Sequence, residues 1–158
     1  MIEVKHLTKR YGSHTAVSDL SFTVEKGQIY GFLGPNGAGK STLFNAICGS
    51  FLIDSGKISL DGKDITRLPD YKRAFDIGRL FQDPMKGTAP NMTIEENMAM
   101  AYSRKAKKSF FAVNKRDTEY FRELLAKLDL RLEDRMKTKI GLLSGGQRQA
   151  VSLLMSTI

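Results

Sequence analysis

The sequence predicts an α/β fold, and three observations carry that prediction. A short apolar run at 28 to 33 leads into a glycine-rich turn at 34 to 39, after which Leu43, Ala46 and Ile47 recur at helical spacing. Upstream, Ile2 and Val4, then Phe22 and Val24, alternate with polar residues as half-buried strands do. Downstream, Phe121, Leu124, Leu125 and Leu128 line one face of an amphipathic helix. Strand, glycine turn and helix in that order open an α/β unit.

The elements follow in chain order. The alternation predicts a strand at each end of 2 to 24, with Tyr11-Gly12-Ser13-His14 as a turn between them. Gln28-Ile29-Tyr30-Gly31-Phe32-Leu33 reads as a buried strand and the residues after Gly39 as a helix. Ile58-Ser59-Leu60 is a short strand, closed by the hairpin signal Asp61-Gly62. Ile77 to Phe81 is a further strand, and the prolines of 84 to 90 mark a loop. Thr93 with Glu96 has capping-box spacing, so a helix starts there. Ser144 with Gln147 repeats the pattern, and Val151, Leu154, Met155 and Ile158 extend the second helix as one apolar stripe.

Composition narrows the class. Hydrophobic residues at 41% and charged residues at 27% suit a globular chain and exclude a disordered one. The single cysteine, Cys48, excludes an internal disulfide framework and reads as a small buried apolar residue. His6 and His14 are too few and too isolated for a metal cluster. No apolar run approaches the ~18 residues of a membrane span, and the charged start is no secretory signal, which together fit a reducing, cytoplasmic setting. The net charge of +8 admits nucleic acid, an anionic membrane surface or a phosphate ligand, and alone does not choose.

The glycine turn does choose. Gly34-Pro35-Asn36-Gly37-Ala38-Gly39-Lys40-Ser41 fits the G-x-x-x-x-G-K-[ST] phosphate loop, or P-loop. Its glycines let the backbone curl so that several N–H groups converge, and the helix beginning near Gly39 adds the positive end of its dipole. Lys40 is placed to reach the β- and γ-phosphates, and the Ser41 hydroxyl to ligate Mg²⁺. Asn36, Gly37, Ala38, Gly39, Lys40, Ser41 and Thr42 are the predicted nucleotide contacts.

A second glycine motif, Leu143-Ser144-Gly145-Gly146-Gln147-Arg148-Gln149, caps a helix with Ser144 and exposes its first N–H groups, a second anion receptor. Behind a P-loop, these residues resemble the LSGGQ signature of ATP-binding cassette (ABC) ATPases. The resemblance spans the whole chain. It implies a nucleotide-binding core of P-loop type, with an antiparallel β subdomain, the P-loop and the Q-loop, over 1–91, then a helical subdomain with the signature helix over 92–158, the C-terminal part of the core missing. It implies ATP and Mg²⁺ as ligands and a second ATPase subunit paired head to tail. Ser144, Gly145, Gly146 and Gln147 would then touch the γ-phosphate of ATP held by that partner. Tyr11, 23 positions before Gly34, resembles the aromatic residue that stacks on adenine, with Val17 packing beside the base. Gln82 resembles the glutamine that reaches Mg²⁺ or the attacking water, and Lys40 and Gln82 are the catalytic candidates. The segment after Gln82 is similar to the permease-sensing surface of importers, of a group serving amino-acid-type substrates. Placement at the inner face of the cell membrane follows from the same likeness.

The family next supplies a Walker B Asp, a catalytic Glu, a D-loop and a switch histidine. None lies within these residues, which correspond to roughly the first two-thirds of such a domain. The Asp supports Mg²⁺, and the general base is worth ~10²–10⁴ in rate. The expectation is therefore that this span alone is unstable or aggregation-prone, with an exposed edge at 28 to 33, and hydrolyses no ATP above background. Two alternatives stand beside the importer. One is a soluble ABC ATPase acting on nucleic acid or ribosomes, favoured by six basic residues between 104 and 116. Against it, 61 positions from Gln82 to Leu143 leave no room for a long coiled-coil arm. The other is a nucleotide-binding fragment without turnover.

Overall fold

The computed structural model describes residues 1–81, 83–106 and 114–158. Gln82 and residues 107–113 of the basic segment lie outside the described residues. The chain divides into two compact units, Met1–Ile77 and Gly78–Ile158.

In the first unit, β1 (Ile2–Tyr11) and β2 (His14–Val24) form the hairpin that the alternation predicts, turning between Tyr11 and His14. β3 (Ser55–Leu60) pairs with the other edge of β1, and β4 (Lys63–Asp64) returns on β3 through the Asp61-Gly62 turn. The sheet is antiparallel in the order β2-β1-β3-β4. Register sets Val4 opposite both Phe22 and Ile58, so one face carries a row of apolar side chains. Helix α1 (Lys40–Cys48) buries Leu43, Ala46 and Ile47 in the same core as Val4, Leu7, Ile58 and Ile65. A helix of nine residues is too short to hold its shape alone in water, so this packing stabilises it. Cys48, at its end, is half-buried rather than buried. The short helix α2 (Asp70–Arg73) follows.

Two predicted strands do not form. Residues 28 to 33 are extended in pattern but pair with no described strand. Nor is the run buried throughout as predicted: only one side of it packs. Tyr30 and Phe32 lie 5.6 and 5.0 Å from the Phe22 ring, while Ile29 and Leu33 are fully exposed. An apolar run signals a segment that meets a core, but burial on both faces and a ladder also need a neighbouring backbone, and none of the described strands supplies it. Residues 77 to 81 lack a ladder for the same reason.

In the second unit, α3 (Ile94–Ala106), α4 (Lys115–Ala126) and α5 (Gly145–Thr157) surround one core of Ile94, Met98, Phe121, Leu125, Leu132, Ile140, Val151 and Met155. Both capping boxes read from the sequence form. The Thr93 amide donates to Glu96 at 2.7 Å, and the Glu96 amide returns to the Thr93 hydroxyl at 3.2 Å. Leu128, the last residue of the predicted stripe on α4, lies just past the helix yet still packs on the core. The loop at 84 to 90 contains a 3₁₀ turn, Pro84–Gly87. Among the described residues, no helix is long and apolar enough to cross a membrane.

Candidate functional site

The P-loop curls through backbone conformations that side chains resist. Gly37 and Gly39 sit at φ +86° and +80°. Gly37 faces open space, whereas a Cβ on Gly39 would lie 2.4 Å from the Ala16 carbonyl oxygen and 3.1 Å from Val17 Cγ2. The loop is therefore seated directly on β2, which only a glycine permits. Gly39 is also the N-cap of α1 and contributes no side-chain bond to its first turn, which contains no acidic residue. That leaves a helix start whose N–H groups and dipole favour an anion. Lys40 arches back over the loop and donates from Nζ to the Gly34 and Pro35 carbonyl oxygens, the latter at 2.7 Å. Its ammonium is thus held over the loop rather than extended into solvent. Asn36, Ala38 and Ser41 are exposed. This chemistry suits a nucleotide's phosphates, and the exposed Ser41 hydroxyl suits a hard divalent cation that keeps much of its water.

The two predicted base contacts sit on the β1–β2 hairpin. Tyr11 is half exposed, its ring edge-on to Phe51 at 6.0 Å, with Lys9 Nζ 5.6 Å from its centroid. Lys9 is held by the Leu52 carbonyl at 2.9 Å. The Arg10 amide donates to Asp54 at 2.7 Å, which, helped by Lys9, keeps that carboxyl below its ordinary range. Val17 lies against the loop at Gly39.

The signature forms the start of α5. Ser144 Oγ accepts from the Gln147 amide at 3.3 Å, and Gln147 Oε1 accepts from the Ser144 amide at 3.2 Å. The Gln147 carbonyl oxygen is therefore committed to the cap, while the Ser144 hydroxyl can still donate its hydrogen. Leu143 is buried beneath, and Gly145 and Gly146 face open space. Signature and P-loop belong to different units, each complete in its own local geometry.

Two residues outside the predicted set shape these motifs. Arg148 donates to the carbonyl oxygens of Ile140, Gly141 and Leu143 at 3.4, 3.1 and 3.0 Å, clamping the loop that presents Ser144. Arg73, buried, reaches the carbonyls at the end of α1. Arg148 directly follows the signature and could have been noticed there. Arg73 carries no sequence signal beyond being one basic residue among several.

A cleft of about 890 Å³ in the second unit is lined by Glu95, Lys115, Arg122 and Lys137 among others, and contains no motif residue. At its rim, burial pushes the Glu95 carboxyl up. Hydrogen bonds from Lys137 and Thr118, with the Lys137 charge, outweigh this and hold it below its ordinary value. Among the described residues, no group of three or more His, Cys, Asp or Glu could hold a metal ion.

Comparison with known proteins agrees in one direction. The family model described as "ABC transporter" matches residues 17–158. The tyrosine transport ATP-binding protein of Clostridioides difficile is 39% identical, the match covering 100% of this chain and 65% of that protein. The putrescine transport ATP-binding protein PotG of Escherichia coli is 36% identical, over 99% of this chain and 38% of its own length. The chain thus spans between about two-fifths and two-thirds of these relatives. Among solved structures, a dimeric bacterial ABC transporter cassette superposes with a TM-score of 0.83 at 27% identity, covering 99% of this chain and 68% of that one. A cassette dimer in a post-hydrolysis state bound to ADP and Pi gives 0.82 at 26% identity, with the same coverage.

Proposed function

The chain belongs to the ABC transporter family and has the fold of its ATPase cassettes, and on that basis we propose that it is the ATP-binding part of a membrane importer. The observation that carries the proposal is the P-loop seated on β2, with Lys40 held over it at the uncapped start of α1.

In this reading the Gly37–Thr42 backbone and the Lys40 ammonium hold the phosphates of ATP, and the Ser41 hydroxyl helps hold Mg²⁺. The ion, when bound, neutralises charge on the phosphate oxygens. Tyr11 stacks on the adenine, with Val17 beside it. Gln82 reaches the Mg²⁺ or the attacking water. The signature turn, fixed by Ser144 and Gln147 and clamped by Arg148, presents the α5 amides to ATP held by a second subunit. Binding of ATP closes that head-to-tail dimer, and the segment after Gln82 passes the closure to permease subunits at the inner face of the membrane.

The likeness to a tyrosine transport protein supports an amino-acid-type substrate. The test is in the source cell. With Lys40→Ala at the native locus, uptake of labelled tyrosine is expected to fall to background while the protein remains at its normal level. Uptake of tyrosine and other amino acids at the wild-type rate in that strain would overturn the proposal.

A further inference from the structure

Arg73 is 2% exposed, among the largest fully buried side chains, and among the described residues no carboxylate hydrogen-bonds it. Its four hydrogen bonds to described residues go to the main chain. Nη1 donates to the Ala46 and Ile47 carbonyl oxygens at 2.7 and 2.9 Å, Nε to Leu68 at 2.8 Å and Nη2 to Thr66 at 2.9 Å. Ala46 and Ile47 are the last turn of α1, whose opposite end is the P-loop. Gly49 makes room for the guanidinium, since a Cβ there would stand 2.9 Å from Arg73 Nε. The Arg73 carbonyl in turn accepts from the Asp76 and Ile77 amides at 3.0 and 2.8 Å, fixing the start of the run toward Gln82.

We propose that Arg73 is a positioning residue for the nucleotide site, pinning the far end of α1 so that the amides at its start stay aimed at the phosphates. The inference rests on the nucleotide-binding reading above. A helix of nine residues is about 13 Å long, so the Arg73 charge acts on the phosphates through position and not through its own screened field. A planar fork meeting carbonyls in several directions fixes both the axial shift and the rotation of the helix, which a single ammonium cannot do. Holding one end of α1 therefore sets where Lys40 and the Ser41 amide lie at the other.

The test uses the chain as its native source makes it, and titrates ATP with Mg²⁺ into wild type, Arg73→Lys, Lys40→Ala and Ile58→Val. Ile58, on β3, belongs to the core that α1 packs on but makes no bond to the end of that helix, and serves as a control for plain loss of packing. Arg73→Lys is expected to bind ATP about tenfold more weakly than an Ile58→Val protein of equal melting temperature, because the charge remains and the fork is lost. ATP affinity in Arg73→Lys equal to that of the control would overturn the positioning role. If Lys40→Ala loses ATP in the same series, the nucleotide reading survives that result. A wild type that binds no ATP overturns both. Should Arg73→Lys fail to fold, amide exchange in the wild type decides. ATP is expected to slow exchange at Asp76 and Ile77 as well as in the loop, and protection confined to 34–42 would refute the linkage.

Discussion

Gly37 and Gly39 share a left-handed backbone but differ in what a side chain would meet, and alanine at each separates backbone strain from the seating of the P-loop. Both have φ near +80°, so alanine at either costs about 1 kcal/mol in left-handed strain. At Gly37 the added methyl meets nothing within 4 Å. At Gly39 it would lie 2.4 Å from the Ala16 carbonyl oxygen, in a strand whose neighbours Thr15 and Val17 are paired with Arg10 and Lys9. Either β2 or the loop must shift, and overpacking of this kind adds about 1–3 kcal/mol. For a chain of this size each kcal/mol moves the melting temperature by about 2–4 °C. Gly37→Ala is thus expected to melt about 3 °C below wild type, and Gly39→Ala about 9 °C below, at mid-range values. The assay is thermal unfolding without nucleotide, followed by ATP titration at a temperature where both variants are folded. Gly39→Ala should also lose the larger share of ATP affinity, because its loop has been lifted off β2. Equal melting temperatures would show that the loop is not seated on the strand, and the reasoning from close approach would fail.

Two further outcomes follow from the second unit. Asn97 is fully buried, accepts from the Ala89 amide at 2.8 Å and donates to the Ala89 and Thr93 carbonyls at 3.1 and 2.9 Å. Asn97→Leu strands all three groups and should cost about 2–4 kcal/mol, read from the midpoint of urea unfolding; a loss under about 0.5 kcal/mol would mean that water replaces the side chain. The Glu95 carboxyl lies below its ordinary value of 4.5, so the unfolded chain binds this proton more readily than the folded one. Its contribution is complete above pH 4.5 and fades as pH falls through the depressed value. Melting curves at descending pH below that point should fall more steeply for wild type than for Glu95→Gln, and parallel curves would show that the Lys137 and Thr118 contacts carry no linkage.

The parts of the fold that the sequence states clearly are those held by local chemistry. Leu43, Ala46 and Ile47 mark the buried face of α1 because a helix repeats its face every turn. The Thr93/Glu96 and Ser144/Gln147 caps and the Asp61-Gly62 turn are legible because each depends on residues at most three apart. The run at 28 to 33 is legible as apolar, yet its state as a buried strand depends on a second backbone that its own residues do not encode. Arg73 is hidden for a related reason. It recognises main-chain carbonyls, and a carbonyl is the same whatever residue carries it. Of the site, the P-loop, the signature and its Ser144/Gln147 cap could be read in advance, and Arg148 stands beside them in the sequence, while Arg73 could not be read.

The central claim is that the Lys40 loop holds the phosphates of ATP. Isothermal titration of Mg²⁺-ATP into the chain and into Lys40→Ala tests it directly. The expected result is saturable one-site binding by the wild type, weakened at least about tenfold in Lys40→Ala while the melting temperature of the free protein is unchanged. Equal affinity in the two proteins, or no binding to either, would contradict it.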